Sequence, residues 1–389
     1  MNSYDFISWT AILAVYVANK VVEEARSMFD RMPEKNLIAW NTMMFGYLQN
    51  GKILEDKSQN NCRNLTFFLD DALMFFCDLV RSEVSPDHFS YNCAITACGL
   101  SGAMGQVAAV HCQALKFGFE SDVGVGNALI SAYGKCGSLL EAERSFKSLN
   151  TPDMISWNAL LTAYSQNGQG NEALVLFDEM RRSGVELNNV TFISVLSACC
   201  YTGEIKKGQF YFEIMENIYD IHPTREHYAC IVDLLGRAGL LCEAEVIIKK
   251  MPIDPDLTVW GALLGACKMH GDPLVAKRAA EQMLILEPDN AAAHVAISKT
   301  FADMSMWKDV ETVWASMKKK RLIKEPGCSW INIKNEKHIF LSNDCRHRQK
   351  DLIDETLWTI YCNIFECSTT NLEIIGLYDN DTYMHALRI

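Results

Sequence analysis

The chain lacks most of what announces catalysis. It contains no Cys-x-x-Cys and no His-x-Glu, so the donor spacings that complete a zinc deaminase site are missing. Neither a Gly-rich phosphate loop nor a nucleophile elbow occurs. Cys345 with His347, and Cys362 with Cys367, have the wrong spacing and read as scattered thiols and imidazoles. These absences predict no catalytic residue, no metal site and no cofactor. No apolar run reaches about 18 residues, the length a membrane helix needs, so no membrane span is expected. The opening "MNSYDFISW" has no basic or apolar leader region and none of the Arg-rich, acid-poor character of an organellar transit peptide.

Positive charge is also scarce. Lys and Arg number 36 against 48 Asp and Glu, for a net charge of −12. A protein that holds nucleic acid mainly by neutralising phosphates needs clustered Lys and Arg, so that mode is disfavoured and any nucleic-acid binding must rest on contacts to bases. Many of the 15 cysteines lie in small-residue contexts such as "ITAC", "LSACC" and "LGAC", and most read as buried free thiols in a reducing compartment.

What is present is a period. Aligned segments begin at Phe6, Leu37, His88, Val123, Met154, Asn189, Arg225 and Leu257, with lengths of 31, 51, 35, 31, 35, 36, 32 and 34 residues. Removing "ILEDKSQNNCRNLTFF" (53–68) returns the second to 35, which predicts an exposed loop inserted between two helices. Each repeat reads as an apolar helix, a Gly-marked turn and a second, one-sided helix around "EA", as in "WNALLTAYSQNGQGNEALVLF". Such hairpins bury one another's faces, so the expected fold is all-α, a right-handed α-solenoid superhelix. His111 and His227 read as helix-packing residues.

One polar slot recurs on the first helices: Thr10, Asn41, Asn92, Asn127 and Asn158. A polar residue also ends each of these repeats: Asn36, Asp87, Asp122, Asp153 and Asn188. A slot side chain projecting into the groove meets no neighbouring repeat and is free to bond a ligand, and Asn offers one acceptor and two donors. Two polar groups per hairpin suit reading one base each from a single strand. Ile7, Ile38, Phe89 and Ile155, just before the slot, are placed to sandwich bases; Gly124 is not.

With "SWNALL", "GNALISAYGKCGSLLEAERSF" and "REHYACIVDLLGRAGLLCEAEVIIKKMPIDPD", the alternating 31- and 35-residue repeats resemble the PLS-class pentatricopeptide repeat family of land plants. Residues 257–340, from "LTVWGALLGACKMHGDPLVAKRAAEQMLILEPDN" through "KEPGCSWINIKNEKHIF", resemble its E-type extension, without the family's C-terminal deaminase. The resemblance implies repeats at 6–36, 37–87, 88–122, 123–153, 154–188, 189–224 and 225–256, a tetratricopeptide-like extension at 257–340 and a divergent tail at 341–389. It implies binding of single-stranded organellar RNA in a mitochondrion or chloroplast for C-to-U editing. The deaminase would come in trans, from a deaminase-bearing relative or other editing factor held by the E-type extension.

Carried over pair by pair, the family's code gives adenine for Thr10 with Asn36 and uracil for Asn41 with Asp87 and Asn127 with Asp153. Asn158 with Asn188 gives a pyrimidine; Asn92 with Asp122 lies in an L-type repeat, where the code is weak. Ile193 and Ala229 depart from the pattern and receive no preference. Seven repeats are few for a unique site, which implies further repeats upstream. The 53–68 stretch and the tail leave open either genuine variation or a retained intron and altered 3′ end. The competing reading is a tetratricopeptide-like protein scaffold that binds no RNA; a degenerate, non-functional fragment is a third.

Overall fold

The computed structural model describes residues 6–56, 62–322, 328–333, 336–341, 351–353 and 355–360. Helices follow in pairs: α1 Phe6–Ala18 and α2 Val22–Asp30; α3 Leu37–Asp56 and α4 Cys62–Arg81; α5 His88–Leu100 and α6 Met104–Lys116; α7 Val123–Lys135 and α8 Leu139–Ser148. Then come α9 Met154–Gln166 and α10 Gly170–Ser183; α11 Asn189–Thr202 and α12 Ile205–Asn217; α13 Arg225–Arg237 and α14 Leu241–Lys250. The pairs α15 Leu257–His270 with α16 Pro273–Leu286 and α17 Ala291–Asp303 with α18 Trp307–Lys320 follow, and the strands β1 Cys328–Ile333 and β2 Glu336–Leu341 come last. Two compact parts result, Met1–Lys324 and Glu325–Ile389.

The first part is an α-solenoid. Each odd-numbered helix packs on the next odd one, and each even helix packs on its own partner and the following odd helix. The odd helices therefore form a close inner row and the even helices a wider outer one. Small residues permit the closeness. A Cβ at Gly134 would stand 2.6 Å from the Ala163 Cβ, and one at Gly236 would stand 2.5 Å from the Ala266 Cβ, so glycine is required where the inner helices touch. The outer helices bury one stripe: α10 presents Ala173, Leu174, Phe177 and Met180 to the core. Each such Leu, Met or Phe contributes about 1.5–3 kcal/mol on burial.

The cysteines at 93, 98, 199, 200 and 267 are buried and form no disulfide. Burial pushes the Cys98, Cys199 and Cys267 thiols up to about 12, which makes them inert packing groups. His111 packs beside Tyr133, with Nδ1 2.8 Å from its hydroxyl. Among the described residues no helix is long and apolar enough to cross a membrane.

The loop expected at 53–68 is corrected. Helix α3 runs on to Asp56 and α4 begins at Cys62, so most of the inserted stretch lengthens the two helices. Residues 57–61 lie outside the described residues. Phe68 is half-buried, its ring 6.2 Å from Tyr47. Leu54, Glu55, Arg63 and Leu65 are good helix formers, and continuing an existing helix avoids the nucleation penalty that a new one bears.

The second part departs from the helical pattern in its hairpin. β1 and β2 pair antiparallel, with Cys328 opposite Leu341 and Ile333 opposite Glu336. "CSWINI" and "EKHIFL" carry the β-branched and aromatic residues that favour strands. The division at Lys324 thus falls inside the stretch 257–340 read as one extension. Of the tail, 351–353 and 355–360 are helical, and the rest of 341–389 beyond β2 lies outside the described residues.

Candidate nucleic-acid interface

The polar residue ending each repeat is the N-cap of the next inner helix. Asp153 Oδ1 accepts from the Ser156 backbone N–H at 2.8 Å, and the Ser156 hydroxyl oxygen accepts from the Asp153 N–H at 3.1 Å, closing a capping box. Asp87 with Ser90 and Asn188 with Thr191 form the same box. A cap of this kind stabilises by about 1 kcal/mol. Asp122 caps α7 through Val125 N–H, and the Asn36 side chain accepts from Ala39 N–H at 2.7 Å.

The slot amides lie against these caps. Asn127 Nδ2 donates to Asp153 Oδ1 at 3.1 Å, while the Ser156 hydroxyl donates to Asn127 Oδ1 at 2.6 Å. Asn41 repeats this with Asp87 at 3.1 Å and Ser90 at 2.7 Å. Asn158 repeats it with Asn188 at 3.0 Å and Thr191 at 2.7 Å. The slot and the closing residue, 26 to 46 positions apart in sequence, thus become one polar group. The expectation that a slot side chain meets no neighbouring repeat is corrected: Asn158 is only 6 % exposed, and both ends of its amide are bonded across the repeat junction. The cause is the cap itself, which must turn its oxygen back toward the helix start and so presents it to the previous slot. Each bonded amide keeps one N–H and one lone pair for a ligand.

Asn92 and Asp122 are not joined in this way. Asn92 Nδ2 donates to the Gly124 carbonyl at 2.9 Å, and its Oδ1 accepts from the Thr96 hydroxyl at 3.4 Å. Thr10 donates to the Ile7 carbonyl at 3.0 Å. In the terminal repeats Ala229 is buried and Ile193 half-buried, and His227 takes the Ser/Thr place. Its Nδ1 accepts from Thr224 N–H at 3.1 Å and its Nε2 lies 3.0 Å from the Asn189 carbonyl, so His227 caps as well as packs.

Burial works to raise the Asp87 and Asp153 carboxyls. Hydrogen bonds from the backbone and hydroxyl of Ser90 or Ser156, and from Asn41 or Asn127, outweigh it and hold both below the ordinary carboxylate range. Both are anions at neutral pH.

The apolar residues preceding the slots are exposed: Ile7 by 73 %, Ile38 by 62 %, Phe89 by 40 % and Ile155 by 58 %. Val190, at the same position of the sixth repeat, is exposed by 49 % and was missed in sequence because its own slot is Ile193. Ile155 and Val190 line a cavity of about 270 Å³ that also holds Asn127, Asn158, Ser131 and Thr162. A planar ring entering there would meet aliphatic walls and an amide edge together.

The PPR repeat description matches residues 7–37, 38–55 and 127–150, and the PPR repeat family description matches 152–201. The chain belongs to the pentatricopeptide repeat family. An E motif follows at 270–332, the pairing expected of the family's PLS class, E subgroup. Among relatives from Arabidopsis thaliana, pentatricopeptide repeat-containing protein At2g13600 is 39% identical over 91% of this chain and 54% of its own length. The chloroplastic protein DOT4 is 34% identical over 92% of this chain and 39% of its own, and mitochondrial At3g53360 is 37% identical over 85% and 41%. The chain therefore spans about half the length, or less, of these curated relatives. The solved structure of pentatricopeptide repeat protein PPR10 in complex with an 18-nt psaJ RNA element superposes with a TM-score of 0.65 at 16% identity, covering 81% of this chain and 45% of that one. Yeast Rmd9p with a 16-nt target RNA gives 0.51 at 9%, covering 81% and 73%. Both share the fold.

Proposed function

We propose that this chain binds single-stranded RNA along its inner row of helices, one base to a repeat junction, and selects a site for organellar C-to-U editing. The observation that carries the reading is the set of three slot amides joined to cap oxygens, Asn41 with Asp87, Asn127 with Asp153 and Asn158 with Asn188, flanked by exposed aliphatic side chains. The solved structures of PPR10 and Rmd9p in complex with RNA support it, as do relatives named chloroplastic and mitochondrial. In this reading residues 6–256 form the RNA-binding array, 257–340 the E-type extension and 341–389 a tail. Asn127 with Asp153 and Asn41 with Asp87 take uracil, Asn158 with Asn188 a pyrimidine, and Thr10 with Asn36 adenine.

The extension is the side that recruits the deaminase. Leu274, Ile285, Trp307 and Trp314 are all exposed on its helices, apolar surface of the kind protein partners cover.

The test is retardation of single-stranded RNAs that differ at one nucleotide. The pair Asn127→Thr with Asp153→Asn copies repeat one into repeat four and keeps a cap, so preference should move from uracil to adenine by roughly tenfold or more at that position alone. With a net charge of −12, affinity should fall only shallowly with added salt, since few counterions leave per contact. No RNA bound at any salt would sink the proposal in favour of a protein-binding scaffold.

A further inference from the structure

The capping hydroxyls of Ser90, Ser156 and Thr191 are buried and cannot touch a ligand, yet each donates to a slot amide. The chain contains its own comparison. Where the third residue of the following helix is Ser or Thr, the slot amide lies on the cap: Asn41, Asn127 and Asn158 all do so. Where that residue is Val125, the amide of Asn92 leaves Asp122 and turns to the Gly124 carbonyl. Asp122 still caps its helix, so the cap alone does not hold the amide.

The protons explain the difference. Asp153 Oδ1 already accepts from Ser156 N–H and Asn127 Nδ2, and the single hydroxyl proton of Ser156 goes to the nearer Asn127 Oδ1, 2.6 Å away against 2.9 Å for the carboxylate. The amide is then pinned at both ends, nitrogen to the cap and oxygen to the hydroxyl. One N–H and one lone pair face outward in a fixed order. Asn92 shows the alternative: its nitrogen goes to the Gly124 carbonyl and its oxygen has the Thr96 hydroxyl at 3.4 Å, a long bond, and an amide held so loosely can rotate and present a different edge to the same base.

We propose that Ser90, Ser156 and Thr191 are positioning residues for base discrimination, each fixing the direction of the slot amide in the repeat before it. This rests on the base-reading function proposed above. Three residues of each junction therefore set its preference, the slot, the cap and the buried hydroxyl, and repeat three is weakly selective because Val125 supplies no hydroxyl.

The experiment measures binding of the purified chain to RNA pairs differing only at the nucleotide opposite repeat four, and separately opposite repeat three. Ser156→Ala should cut the preference at repeat four by about three- to tenfold. Preference at repeats two and five should stay as it was, and Ser156→Thr should restore repeat four, because Thr191 does the same work naturally. Val125→Thr, nearly equal in volume, should raise selectivity at repeat three. If Ser156→Ala weakens all RNAs alike and keeps the preference ratio, the hydroxyl is a cap only and the inference fails while base reading stands. If Val125→Thr leaves repeat three no more selective, the hydroxyl does not suffice and the inference fails in that form. A wild-type chain that discriminates at no repeat overturns the base-reading proposal instead. A readout without RNA is the Asn127 side-chain NH2 resonance pair, whose shifts and slow exchange with solvent in wild type should persist in Ser156→Thr, while Ser156→Ala shifts the pair and speeds its exchange with solvent. Identical spectra in all three would overturn the pinning itself.

Discussion

The junction of repeats four and five and the junction of repeats six and seven begin from the same backbone and diverge in chemistry. At the first, Asp153, Ser156 and Asn127 share a cap, a hydroxyl and an amide, with polar capacity left over beside a cavity walled by Ile155 and Val190. At the second, Thr224 and His227 close the cap, Ile193 fills the slot, and the imidazole spends its other nitrogen on the Asn189 carbonyl. The cavity beside that junction is instead lined by Tyr201, Asp233 and Arg237, and the Arg237 guanidinium pairs with Asp233 at 2.8 Å. The capping requirement is common to both and leaves the slot as the variable. Under the proposed base-reading function a polar slot turns a structural cap into half of a reader, and an apolar slot leaves the same cap to stability alone.

If the architecture is shared and only the slot chemistry differs, breaking the inner-row contact should hurt both regions equally. Gly134→Val and Gly236→Val each force a side chain into an alanine on the next inner helix. Each should cost about 3 kcal/mol, the upper range for overpacking. Chemical unfolding followed by helix circular dichroism checks it. A tolerant Gly236 beside an intolerant Gly134 would mean that the two regions pack differently.

The next largest effect separates the junctions. His227 is fully buried, and His227→Ala leaves the Thr224 N–H without its acceptor and removes one bond to the Asn189 carbonyl, at a cost of about 2–3 kcal/mol. It also predicts a pH signature. Burial depresses the imidazole pKa below 6.5, with a smaller opposing pull from its bond to the Asn189 carbonyl. The unfolded chain therefore binds the proton more readily than the folded one, and stability is fully present above about 6.5 and lost as pH falls through the folded value. His111 is depressed by burial in the same sense, so His227→Gln should flatten part of the decline below pH 6.5 rather than all of it. An unaltered acid slope in that variant would show that His227 does not titrate on unfolding.

The contrast also explains what could be read beforehand. The residues at which the period was counted, from Phe6 and Leu37 to Leu257, are the first residues of α1, α3 and their successors; from Leu37 on a cap precedes each one, and capping is a local property. The polar slot was legible as a recurrence, and the exposure of Ile7, Ile38, Phe89 and Ile155 followed from their position on the same helical face. The bond between Asn127 and Asp153 was not, since it exists only once neighbouring repeats stack. The hydroxyl partners had a visible signal, a Ser or Thr three residues after the closing residue at 90, 156 and 191, but their bonds to the slot amides exist only once repeats stack. The helical course of most of 53–68 was missed because the restored period argued for removal, and a restored period says nothing about the conformation of what is removed. The β-hairpin was hidden by its place at the end of a helical array.

The smallest effect expected is also the most selective between cap and reader. Asp153→Asn makes repeat four resemble repeat five, where Asn188 caps and pairs with Asn158 at 3.0 Å. Asn and Asp are nearly equal N-caps, so at neutral pH the change in stability should stay within about 0.5 kcal/mol, slightly favouring the anion at the helix start. The sign then follows from the depressed carboxyl. Asp153 is held below its ordinary 3.8 by bonds that outweigh its burial, so its contribution is present above that value and lost as pH falls through the folded pKa. Wild type should lose its slight advantage over Asp153→Asn only in that acid window. Binding should respond quite differently, with the uracil preference at repeat four relaxing toward either pyrimidine at neutral pH while every other position holds. Paired unfolding and binding curves on the one variant distinguish the two roles. A stability loss well beyond the expected range with unchanged base preference would leave Asp153 a cap and nothing more.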